Sequence, residues 1–132
     1  VSTPVAGRED ATENDVDTAV TTTVFESAQQ SYTNGAVVTV AHGLGAKPQT
    51  VMYEVECITT EHGYAVGKRV QVSSQASSNG SFGINFSASL DATNVIIKVG
   101  ANGITLISLT TGLAAVLTPA NWRLRVTAVK YP

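Results

Sequence analysis

The stretch Gln49–Thr60, QTVMYEVECITT, sets Val51, Tyr53, Val55 and Cys57 in alternation with Met52, Glu54, Glu56 and Ile58. A period of two puts the first set on one face of a strand and both carboxylates on the other. This predicts a half-buried β-strand with its apolar face turned inward. The same alternation returns at the other end of the chain. There Trp122, Leu124, Val126 and Ala128 share one face and Arg123 and Arg125 share the opposite one.

Between and around these two segments the pattern is strand, turn, strand. Thr21–Glu26 is a short β-rich run, and Gly35–His42 follows the turn signal Asn34-Gly35. Ala65–Ser73 carries Val66, Val70 and Val72 in phase, Ser81–Ala88 carries Phe82, Ile84 and Phe86, and Asn94–Gly100 is an apolar run bounded by turn residues. Ser73–Ser81 reads as a polar loop. Asn102-Gly103 opens a further strand over Ile104–Leu109, and Thr110–Leu117 shows only a poor helical period. Some seven or eight strands at this spacing predict an all-β sandwich or small barrel over residues 21–132, with an antiparallel β-sandwich of jelly-roll-like type as the leading expectation.

Composition points the same way. The 132 residues include 18 Val and 17 Thr, β-branched residues that suit a pleated surface. Only 14% are charged, well below the usual quarter, so much of the surface is expected to face other protein. The net charge of −2 excludes a general electrostatic grip on nucleic acid. No apolar run approaches the ~20 residues of a membrane helix, and the first twenty residues lack the basic and apolar regions of a signal peptide. A soluble protein is expected, with neither nucleic acid nor membrane as a partner.

Residues 1–20 read as an extended N-terminal arm. They hold no aromatic, Leu or Ile, and could not by themselves bury enough apolar area to offset the entropy of ordering them. Glu9, Asp10, Glu13, Asp15 and Asp17, with Glu26, outweigh Arg8 and give residues 1–26 a charge of −5 against +3 for the rest. The arm is therefore expected to lie against a partner chain or its own domain. Its contacts would be Val5, Val16 and Val20 together with the five arm acids.

The search for reaction chemistry returns nothing. Cys57, the one cysteine, sits on an inward strand face, where a thiol is usually core filler. His42 and His62 lie in the turn-like segments AHGLG and TEHGY, where local hydrogen bonding is the commoner role. One Cys and two scattered His do not supply a zinc set, and no phosphate-binding glycine loop precedes a helix. No catalytic residue, metal, cofactor or small-molecule substrate is expected. Glu54 and Glu56 are expected to form a charge ladder with Arg123 and Arg125, between strands or across a subunit boundary.

The segment His42-Gly43-Leu44-Gly45-Ala46-Lys47-Pro48, the strand ending at Cys57, then Gly63-Tyr64-Ala65-Val66-Gly67, and finally Trp122-Arg123-Leu124-Arg125-Val126-Thr127-Ala128 resemble small bacteriophage virion structural proteins of the head-decoration and tail-fibre type. Those proteins carry HGLG…P, GYxxG and W-x-L-x-V-x-A elements. The resemblance spans roughly residues 36–70 and 118–131, and Lys68 stands where the pattern has Asp. Gly43, Gly45, Pro48, Gly63 and Gly67 read as fold-forming turn positions. The resemblance implies a non-enzymatic virion protein, assembled in the host cytoplasm. Its leading form would be a capsid decoration or cement protein, a homo-oligomer (trimer) bound to the major capsid protein or other virion proteins. The alternative is a tail-fibre or receptor-binding module that recognises a host glycan or protein through loop aromatics such as Tyr32 and Tyr64.

Overall fold

The computed structural model describes residues 21–76 and 83–132. The expected arm, with Val5, Glu9, Asp10, Glu13, Asp15, Val16, Asp17 and Val20, lies outside the described residues, as does Phe82. Ten strands and one 3-10 turn follow one another: β1 (Thr23–Glu26), β2 (Val37–Ala41), β3 (Thr50–Cys57), β4 (Arg69–Val72), β5 (Gln75–Ala76), β6 (Asn85–Leu90), β7 (Asn94–Val99), β8 (Thr105–Ile107), β9 (Ala114–Val116), the 3-10 turn Pro119–Asn121, and β10 (Trp122–Lys130).

All pairings are antiparallel. One sheet has the order β1-β10-β3-β4, a second β2-β7-β6-β5, and β8 and β9 form a separate hairpin. The chain passes between the two four-stranded sheets after β1, after β2, after β4 and, by way of the β8–β9 hairpin, from β7 to β10, so they are built jointly and form a sandwich. The core draws on both sheets. Trp122, Leu124, Val126, Val55 and Cys57 from the first join Val38, Val40, Phe86, Val95, Ile97 and Val99 from the second. Tyr53 of β3 meets Phe86 of β6 edge-on, with ring centroids 5.2 Å apart.

The alternation in β3 and β10 accounts for most of this. Trp122, Leu124, Val126 and Ala128 are all buried, and opposite them lie Cys57, Val55, Tyr53 and Val51 in register. Fully burying each large apolar side chain contributes roughly 1.5–3 kcal/mol, against at most about 1 kcal/mol for an exposed ion pair. The inner faces therefore set the register and the charged outer face follows.

Four local expectations are corrected. Val66 is not on a strand with Val70 and Val72 but in the loop before β4, and it is 65% exposed. The strand expected from Ser81 begins only at Asn85. That residue has a left-handed φ of 70°, sends its N–H to Gly103 O, and accepts Thr105 N on its side chain. These contacts tie the strand's start to the β8 segment and leave Ile84 outside it. Ala114–Val116, in the stretch with weak helical character, is β9, because the turn at Gly112 folds it onto β8. The polar loop after Ser73 contains the short β5.

Candidate functional site

The β3–β4 connection is extensively hydrogen-bonded. Cys57 N donates to Lys68 O and Gly67 N donates to Cys57 O, closing its base. Its tip is a tight hairpin in which Glu61 and Tyr64 exchange backbone bonds. His62 and Gly63 between them have φ of 54° and 83°, the two consecutive left-handed residues that a type I′ turn requires.

This tip carries Glu61 onto the start of β10. The carboxylate accepts from Thr118 N (2.9 Å), the Thr118 hydroxyl (2.5 Å), Asn121 Nδ2 (3.3 Å) and the Trp122 indole Nε1 (2.9 Å). Burial alone would raise its pKa. The bonds from Thr118 and Trp122 outweigh that and hold it below the ordinary carboxylate value. Composition and spacing did not single out Glu61. The signal lies in Trp122 itself, because a buried indole N–H needs an acceptor.

Tyr64 leans edge-on against Trp122, centroids 5.5 Å apart, and its hydroxyl donates to Ile107 O at 2.6 Å. The Cys57 thiol donates to Thr59 O at 3.1 Å and reaches Tyr64 O at 3.5 Å. His62 Nε2 lies 2.9 Å from Val116 O and 3.8 Å from Glu61, and so fixes β9. Tyr32 is also buried, and its hydroxyl has no partner among the described residues. Burial first, and then the Glu61 charge, push its pKa well above the phenol range. Tyr32 and Tyr64 are thus core residues and not loop aromatics open to a sugar. Both rings belong to the buried core, and that of Tyr64 packs on Trp122.

The HGLG…P element makes a second lock. His42 is buried, its Nδ1 accepts from Leu44 N at 3.1 Å, and its Nε2 is 2.9 Å from Asp91 O. Because Nδ1 accepts, the ring proton sits on Nε2 and donates to that carbonyl. The β2–β3 loop is thereby pinned to the β6–β7 turn. In that turn the Asp91 side chain accepts from Asn94 N and Thr93 N, which keeps its carboxyl below the ordinary value. Gly43 and Gly45 have φ of 65° and 78°, and Pro48 is buried two residues before β3.

On the outer face of the first sheet, the register sets Arg123 opposite Glu56 and Arg125 opposite Glu54. The ion pairs run diagonally. Arg125 binds Glu56, Arg69 of β4 reaches Glu54 at 2.7 Å, and Arg123 turns to the carbonyls of Trp122 and Pro119. The bond from Arg125 holds the Glu56 pKa down.

Two adjoining open hollows of about 290 and 240 Å³ lie along Gln71, Val72 and Ser73, and among the described residues no charged or imidazole side chain lines either. Among the described residues no three His, Cys, Asp or Glu side chains cluster as a metal set. The largest exposed apolar side chains include Ile107, Leu109, Leu113 and Val116, all on or beside the β8–β9 hairpin. Neither a protein-family model nor a curated protein matches the sequence.

Proposed function

We propose that this chain is a non-enzymatic bacteriophage virion protein, a decoration or cement protein that binds the head shell as a homo-oligomer and stabilises it. One observation carries the reading: the chemistry-bearing residues in and between the virion-like motifs are spent on holding loops in place. His42, Cys57, Glu61, His62, Tyr64 and Trp122 each place their polar atoms on a backbone or side-chain partner within the domain. Such a module offers a rigid body and surfaces, not a reacting group. The opposite charges of the N-terminal segment and the remaining chain support a contact in which the acidic segment reaches another subunit.

The glycan-binding alternative draws no support from Tyr32 and Tyr64, which are both buried.

The test is to add purified protein to phage heads stripped of accessory proteins and image them by cryo-electron microscopy. Density at regular positions on the shell, lost when residues 1–20 are deleted, is the expected result. Bare shells with the full chain in excess would rule the proposal out.

A further inference from the structure

We propose that β2 is a pairing edge, and that two copies of this chain join antiparallel through it about a two-fold axis at Thr39. The inference does not depend on the virion reading.

The phase of the β2–β7 ladder decides which backbone groups of β2 are free. Val99 N donates to Ala36 O and His42 N to Thr93 O, and the register between them runs Val37↔Lys98 through Ala41↔Asn94. In an antiparallel ladder hydrogen-bonded positions alternate, so Val38 and Val40 also turn their N–H and C=O toward β7. Val37, Thr39 and Ala41 turn theirs away. β2 ends its sheet, and no hydrogen bond to those outward groups is found among the described residues.

The edge is also undefended. Natural sheets protect exposed edges with charge, proline, bulges or very short strands. β4 begins at Arg69 beside Lys68, β1 ends at Glu26, and β5 has two residues. β2 has five residues, Val-Val-Thr-Val-Ala, with no proline, and no charged residue stands between Glu26 and Lys47. Its outward side chains Val37, Thr39 and Ala41 are exposed, with Val37 at 58%.

The edge is complementary to itself. With Thr39 opposite Thr39 of the second copy, Val37 faces Ala41 and Ala41 faces Val37. All three positions present their free N–H and C=O to one another, so every outward group of β2 is satisfied at once. A register slipped by two residues would leave a pair unmet. The joined sheet would run β5-β6-β7-β2 and then β2-β7-β6-β5 of the second copy. Such a contact is isologous and closed, which gives a dimer rather than the trimer expected above.

The mass of the full chain in solution, by sedimentation velocity and light scattering, should be that of a dimer. Thr39→Pro removes an outward N–H without touching the β7 ladder. It should weaken the dimer by roughly thirtyfold or more, as expected for losing the two bonds at the axis. Thr39→Cys should form a disulfide-linked dimer under mild oxidation, since opposed residues there lie within disulfide reach. Ser87→Cys, exposed on the same outer face but away from the edge, should not. Three results would each overturn the proposal: a full chain that stays monomeric, an oligomer indifferent to Thr39→Pro, or Thr39→Cys cross-linking no better than Ser87→Cys. A monomer that dimerises only after deletion of residues 1–20 would overturn it too, by assigning the edge to that segment.

Discussion

The indole N–H of Trp122 donates to Oε1 of Glu61 at 2.9 Å, across 61 positions of sequence. Trp122 is fully buried, and the same carboxylate also receives three groups of Thr118 and Asn121. Glu61→Ala strands those donors and should lower the unfolding free energy by about 2–4 kcal/mol. Glu61→Gln keeps an acceptor oxygen and should lose about half as much. Urea titration, with an unchanged slope, checks both values.

Acid should destabilise the fold through the same group. The Glu61 and Glu56 carboxyls titrate below their ordinary 4.5 in the folded chain. A depressed folded pKa gives stability that is complete above the unfolded value and is lost as pH falls through the folded one. The melting temperature should hold steady from about pH 6 to 5 and fall below about 4.5. Glu61→Gln should make that acid limb shallower, and an unchanged limb would deny Glu61 its anchoring role.

Gly63 and Gly67 both have left-handed φ, 83° and 92°. A side chain at Gly67 meets nothing within 4 Å, whereas at Gly63 it meets Thr110 Oγ1 at 2.9 Å and Leu109 Cβ at 3.0 Å. Gly67→Ala should therefore cost only the backbone term, about 1–2 kcal/mol. Gly63→Ala should cost about 1–3 kcal/mol more, because the β8–β9 hairpin must shift. Equal melting temperatures for the two variants would contradict this packing.

The Cys57 thiol is fully buried and donates to backbone carbonyls. A thiol reagent should react with it only through opening of the core. Labelling should then be slow in buffer and accelerate with denaturant in step with unfolding. Rapid stoichiometric labelling of the native protein would contradict this placement.

The sandwich was legible where one face of a strand is buried and the other wet, as in β3 and β10, because period-two alternation records that asymmetry directly. It failed at Val66 and Ile84, where turn geometry at Gly67 and Asn85 overrides an apolar pattern. It also missed β9, whose Ala-Ala-Val has no strand signature apart from its partner β8. Local hydrogen bonding, expected of both histidines, holds for His42 Nδ1 with Leu44 N, whereas His62 bonds Val116 O far along the chain. Glu61 escaped notice because its importance lies in a tryptophan far along the chain, which no local window contains.

The pairing of β1 with β10 has a mechanical consequence. Thr23 lies opposite Lys130, so both strands leave the sheet at one pole. Tension applied between the two ends would unzip the β1–β10 bonds one after another, at low force. A load entering and leaving through one end alone would bypass the domain. The fold is therefore poorly suited to bearing tension applied between Thr23 and Lys130.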